Sequence, residues 1–230
     1  MTDLVVLPGF DGTATLLSAF SDAVDCAFDS VTILSYPTAQ VLGYAELESL
    51  ARAALPRGTR FVLLGESFSG PIALSIAATP PAGLVGLVLS TSFARSPIPL
   101  LSPLASFARF APVRALPFPL LSWWLLGRWS TPQLESALRD ALLSVTPSVL
   151  RARAITALRA NVSSCLRAIS VPTLYLRATQ DRLLSRSSAA HILSAVAPAT
   201  CVEITGPHLL LQAAPHACAL AVGKFSRTLS

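Results

Sequence analysis

The stretch FVLLGESFSGPIALSI, residues Phe61 to Ile76, governs the reading of the whole chain. Phe61-Val62-Leu63-Leu64 is a short apolar run between Thr59-Arg60 and Gly65. A run that short, with a β-branched residue, suits a strand buried on both faces. Pro71 can open a helix at its first turn, and Ile72, Ala73, Leu74, Ile76 and Ala77 supply its apolar surface. Between them lies the small-residue turn Gly65-Glu66-Ser67-Phe68-Ser69-Gly70. Strand, sharp turn and helix form the setting in which a serine hydroxyl is held exposed above a sheet, as a nucleophile elbow. The usual pattern is G-x-S-x-G; here Ser69 takes the last position and Gly70 follows. The plain alternative is an ordinary Gly/Ser turn.

Outward from this unit the chain alternates. Asp3–Leu7 reads as a buried strand, followed by the turn Pro8-Gly9-Phe10-Asp11-Gly12-Thr13 and an amphipathic helix over Thr13–Phe28. Val31–Tyr36 is a second strand closed by Pro37. Tyr44–Leu55 is a helix with Leu47, Leu50 and Ala51 inward. Leu84–Leu89 is a fourth strand. From Phe93 to Ala168 no strand signal occurs, and prolines separate helical patches at Leu100–Phe110, Leu120–Arg128, Pro132–Leu143 and Ser148–Leu158. Alternation returns with strand Thr173–Ala178, helix Ser187–Val196, strand Cys201–Ile204 and helix Pro215–Leu229. The expected class is α/β, with a mainly parallel sheet. Residues 1–94 and 169–230 form its core, and 95–168 an inserted helical cap.

Composition narrows the setting. The 230 residues are 53% hydrophobic, with a mean hydropathy of +0.62. A membrane must therefore be weighed, but Ile98–Leu126 is broken by Pro99, Pro103, Pro112, Pro117 and Pro119 and by Arg109 and Arg114. That is no spanning helix, and no transmembrane segment is expected. The N-terminus lacks a basic leader, so a cytoplasmic location is expected. Cys26, Cys165, Cys201 and Cys218 form no C-x-x-C pair and are expected to be buried, reduced thiols. Neither a metal nor a cofactor is expected.

The net charge is +5. Arg95, Arg109, Arg114, Arg128, Arg139, Arg151, Arg153, Arg159 and Arg167 face only Glu135 and Asp140 in the same region. The plain reading is a set of solvated helix faces; the sharper one is a docking face for an acidic partner. No recognition motif accompanies the charge, so no nucleic-acid partner is expected.

In parallel α/β sheets ligands bind beyond the carboxyl ends of the strands. Phe10-Asp11, Ser67, Asp181 and His208 all fall at such ends. A serine hydroxyl needs a base to become nucleophilic, and His208 follows the last strand in Gly206-Pro207-His208. His191, inside a helix, and His216, at a helix start, read as structural or surface residues. Asp181, in the turn after Thr173–Ala178, suits the carboxylate that orients the base. Asp140 is its poorer rival. Backbone amides of Phe68 and Phe10 are the candidate oxyanion donors, each typically worth about 2.7–4 kcal/mol in the transition state. The turn Pro8–Thr13 lacks the pattern of a phosphate loop.

On Pro8-Gly9-Phe10, Gly65-Glu66-Ser67-Phe68-Ser69-Gly70, Asp181 and Gly206-Pro207-His208, the chain resembles the α/β-hydrolase superfamily. It departs from many members in carrying Pro8 where they have a histidine, and in lacking an N-terminal hairpin. In size, helical cap and cap arginines it is similar to small capped carboxylesterases, including those that demethylate pimeloyl-carrier-protein methyl ester in biotin synthesis. The resemblance implies a serine esterase with a small apolar acyl ester as substrate. It makes an acidic acyl carrier protein a second candidate partner. Trp123, Trp124, Trp129, Phe107 and Phe110 would then wall an acyl pocket. A hydrolase-fold binding protein with little turnover is the alternative from another class.

Overall fold

The structure is a computed structural model that describes residues 2–98 and 117–229. Six strands form one sheet: β1 Asp3–Leu7, β2 Val31–Ile33, β3 Phe61–Glu66, β4 Leu84–Ser90, β5 Thr173–Ala178 and β6 Ala199–Ile204. Their order is β2-β1-β3-β4-β5-β6, and every neighbouring pair is parallel. The chain thus runs outward from β1 to β2 and then returns past β1 to β3. That reversal opens a crevice at the ends of β1 and β3, where ligands bind in such sheets. Leu7 pairs with Gly65, and Gly65 with Leu89, so the ends of β1, β3 and β4 lie level.

Strand periodicity assigns the two faces. Val5, Leu7, Phe61 and Leu63 pack with α2 (Tyr44–Ala54) and α3 (Gly70–Ala78). Leu4, Val6, Val62 and Leu64 pack with α1 (Ser18–Val24) and with Cys218 and Val222 of α9 (Pro215–Ser226). All eight strand residues are buried. Each such side chain contributes about 1.5–3 kcal/mol relative to exposure. Helix α7, Arg186–Ala195, precedes β6, and the short helix α8, Leu210–Ala213, lies between β6 and α9.

Several expectations need correction. β2 ends at Ile33, short of Tyr36. Leu34 N–H still donates to Val6 at 2.9 Å, but Tyr36 N–H turns to the Gly12 carbonyl at 2.8 Å. The chain leaves the sheet there to cover the turn after β1. The helix expected over Thr13–Phe28 is α1 with a 3-10 turn at each end. Leu50 is 45% exposed, because α2 buries only the narrow stripe Leu47 and Ala51. Of the four cysteines, all free, only Cys218 is buried; Cys26 and Cys201 are exposed.

Between β4 and β5 the described residues hold α4 (Phe118–Leu125), α5 (Pro132–Leu143) and α6 (Pro147–Leu158). Pro132 and Pro147 occupy first-turn positions, and Thr131 Oγ1 caps α5 by accepting from Leu134 N–H at 3.2 Å. The helix expected at Leu100–Phe110, with Phe107, Phe110, Arg109 and Arg114, lies outside the described residues. The two ends of this region are zipped together. Ser96 N–H donates to Ala160 and Val162 N–H to Ala94, both at 2.8 Å. Among the described residues no single helix is long and apolar enough to cross a membrane.

Candidate active site

Ser67 opens a 3-10 turn between β3 and α3 with φ +44°. A positive φ is costly for a side-chain-bearing residue and persists only where the surroundings enforce it. The enforcement is tight packing. A Cβ on Gly65 would come within 2.6 Å of Ala73 Cβ, and one on Gly70 within 1.5 Å of Ser92 Oγ. Ser92 Oγ donates to the Ser67 carbonyl at 2.7 Å. Ser69, where glycine is commoner, uses its hydroxyl. Fully buried, it donates to the Pro8 carbonyl and lies 2.8 Å from Tyr36 Oη.

Ser67 Oγ is 2.8 Å from His208 Nε2, and His208 Nδ1 is 2.9 Å from Asp181 Oδ2. The loops carrying the last two residues extend the β5–β6 pairing. Thr179 N–H donates to Ile204 and Gln180 N–H to Gly206, both at 3.0 Å. Asp181 Oδ1 accepts from the amides of Leu183 and Leu184, each at 2.8 Å. Burial pushes the Asp181 carboxyl up, but His208 and these amides outweigh it and hold it below the ordinary carboxylate range. His191 instead meets Ser163 Oγ at 2.9 Å, while His216 and Asp140 sit exposed on α9 and α5.

The turn after β1 is closed by Gly12 N–H donating to Gly9 O at 3.1 Å, with Gly12 at φ +68°. In a trans peptide C=O and N–H point oppositely. With the Gly9 carbonyl turned inward, the Phe10 N–H faces out of the turn. The Phe10 ring meets the Phe68 ring edge-on, centroids 6.1 Å apart.

Two buried groups beneath and above this turn were not singled out by sequence reasoning. Glu66 accepts from Gln212 Nε2 at 2.8 Å, and its carboxyl lies beside Gly9. Burial is the main cause that brings its carboxyl to about 7; nearby Asp11 adds, while Gln212, His208 and Gly9 oppose. Arg153 on α6 is only 2% exposed, so it belongs neither to a solvated face nor to a docking surface. Its Nη1 donates to the carbonyls of Phe10 (3.2 Å) and Asp11 (2.5 Å), and its Nη2 to that of Pro37 (3.0 Å). No local pattern in the sequence marks an arginine whose partners are carbonyls more than a hundred residues away.

Helix α4 touches the other two loops. Arg182 Nη1 donates to the Trp123 carbonyl at 2.9 Å, and Leu209 N–H to that of Leu125 at 3.1 Å. Trp123 and Trp124 point outward, 53% and 37% exposed, and form no apolar wall; Arg182 lies over the Trp123 ring. A cleft of about 170 Å³ reaches Asp181, and one of about 620 Å³ is lined by Arg95, Arg159, Asn161 and His191.

Known proteins agree with this architecture. The family model described as Serine aminopeptidase, S33 matches residues 45–208, well over half of the chain. No curated protein matches. Among solved structures, the enol-lactonase from Burkholderia xenovorans LB400 is similar at a TM-score of 0.82 and 18% identity, covering 97% of this chain and 90% of that one. A thermophilic esterase from Thermogutta terrifontis gives 0.79 and 20%, covering 100% and 90%. MenH from S. aureus gives 0.78 and 17%, covering 99% and 94%. At such identities the likeness is one of fold. The chain belongs to the serine aminopeptidase S33 family of α/β hydrolases.

Proposed function

We propose that this hydrolase cleaves carboxylic esters through an acyl-enzyme. The observation that supports it is the continuous contact from Ser67 Oγ through His208 to Asp181. In this reading His208 Nε2 takes the Ser67 proton as the oxygen attacks the acyl carbon. Asp181 holds Nδ1–H and stabilises the imidazolium. The amides of Phe10 and Phe68 receive the negative charge on the tetrahedral oxygen. His208 then protonates the departing alkoxide, and water, deprotonated by the same ring, releases the acid. The steps use no metal or organic cofactor. Residues 95–168 act as a cap on a core of 1–94 and 169–230, which fits the contacts of α4 and α6 with the site loops. Four free cysteines fit a reducing compartment, and we assign the protein to the cytoplasm.

Hydrolysis of p-nitrophenyl esters from acetyl to palmitoyl tests this reading, on the parent and on Ser67→Ala. Aminoacyl p-nitroanilides belong in the panel because of the family's description. Turnover by the parent, with at least a thousandfold loss in the variant at about the scale of triad removal, is expected. Equal turnover by the variant would remove Ser67 from its role. Fluorophosphonate labelling of a parent that turns over nothing would favour a binding protein.

A second reading has an acidic acyl carrier protein delivering a pimeloyl-type methyl ester, as in biotin synthesis. Exposed Arg95 and Arg159 beside the larger cleft favour it. Arg153 is no part of that surface. Salt-sensitive turnover of carrier-bound but not free ester is expected, weakened in Arg151→Glu and Arg159→Glu. Unaltered turnover in both variants would discard it.

A further inference from the structure

Arg153 is the largest fully buried side chain among the described residues, yet it forms no ion pair there. Burying a charge costs several kcal/mol even after relaxation, and an apolar residue of like volume often serves stability as well. The guanidinium spends its donors on main-chain carbonyls instead, two of them in the turn after β1. It also excludes alternatives from that turn. A Cβ on Gly12 would lie 2.5 Å from Arg153 Nη1. On the same helix, Val149 and Leu150 pack in a cluster that includes Phe10.

Other groups of the turn are held as well. Ser69 engages the Pro8 carbonyl and Gly12 the Gly9 carbonyl, and the Glu66 carboxyl lies beside Gly9. Arg153 takes the carbonyls of Phe10 and Asp11. The Phe10 amide, opposite the inward Gly9 carbonyl across their shared peptide, is left facing out of the turn. A planar fork with fixed donors suits such a task better than a flexible ammonium.

We infer that Arg153 is a positioning residue for the acyl-transfer site: it fixes the Gly9–Gly12 turn so that the Phe10 amide meets the developing oxyanion, and it makes correct seating of α6 a condition for that. The inference rests on the ester-hydrolase reading above. Its effect belongs to the transition state, because a ground-state ester gains little from that amide.

The test uses full-length Arg153→Ala and Arg153→Lys with the best ester of the panel and an alkyl boronic acid as a tetrahedral mimic. Loss of one oxyanion donor costs about 10²–10³ in kcat, so a fall of about 30- to 300-fold is expected in Arg153→Ala. KM should stay within about threefold, and boronate affinity should fall in parallel with kcat. Millimolar guanidinium should restore part of kcat in Arg153→Ala without changing KM. Should that variant not fold, Arg153→Lys carries the test, with about a tenfold fall in kcat as the fork is lost. Parent-like kcat and boronate affinity in a folded variant, or a loss confined to KM, overturns the inference while leaving the esterase reading intact. A parent that hydrolyses no ester overturns both.

Discussion

The Ser69 hydroxyl donates to the Pro8 carbonyl, joining the turn at the nucleophile to the turn after β1. Tyr36, brought in where β2 leaves the sheet, places its Oη 2.8 Å from Ser69 Oγ. Ser69→Gly would restore the commoner G-x-S-x-G pattern but orphan two buried polar groups. Leaving such groups unsatisfied costs about 1–3 kcal/mol. Urea unfolding of this variant should show that loss, and kcat should fall with it. Parent-like stability would mean that Pro8 and Tyr36 find other partners.

The Asp181 carboxylate holds His208 by one oxygen and two main-chain amides by the other. Asp181→Asn can keep the amide bonds through its carbonyl oxygen, yet it turns an NH₂ toward Nδ1 and selects the wrong tautomer. A fall in kcat of about 10⁴ is expected on the proposed chemistry, with folding preserved. Linkage gives a separate signature. The folded-state value lies below the unfolded one, so the stability Asp181 contributes is present above the unfolded pKa of about 4 and lost as pH falls below it. The asparagine variant should lose that acid-side dependence, read from urea midpoints.

Glu66 predicts the opposite slope. Its carboxyl titrates near 7 when folded, above its ordinary value. The folded state therefore binds the extra proton between about 4.5 and 7. Stability from this group is full below that window and is lost as pH rises through it. The loss is at most roughly 3 kcal/mol for a shift of this size. Urea midpoints at pH 5 and pH 8 should differ for the parent and differ less for Glu66→Gln. An identical pH dependence in the two proteins would assign the proton elsewhere.

Gly70 and Gly58 separate two reasons for glycine. Gly70 has an ordinary φ but no room, since its added Cβ would collide with Ser92 Oγ. Gly58 has φ +85° and open space around it. Gly58→Ala should cost about 1–2 kcal/mol, from the left-handed backbone alone. Gly70→Ala should cost more than about 3 kcal/mol or prevent folding, and should displace the Ser67 carbonyl from Ser92. Thermal melts of both variants check the ordering.

The alternation of strands and helices was readable because each element carries its own period. Phe61–Leu64 and Leu4–Leu7 are apolar on both faces, as central parallel strands require, and Pro71, Pro132 and Pro215 mark helix starts by local stereochemistry. The candidate Ser67, Asp181 and His208 were nameable because strand ends are where such a sheet exposes side chains. Their order along the chain needed no partner distances.

Contacts between elements escaped that kind of reading. Leu50 and Ala51 are adjacent in the same helix, yet only Ala51 is covered, because successive side chains point about 100° apart and Ala51 shares the buried stripe of Leu47. Arg153 looked like its neighbours Arg151 and Arg159 in sequence. Only the docking of α6 over the turn after β1 gives it three carbonyls in place of water. Local periodicity and turn chemistry act over a few residues and are written in the chain itself. Which main-chain group a distant side chain meets depends on sheet order and helix seating, and those exist only once the polypeptide has folded.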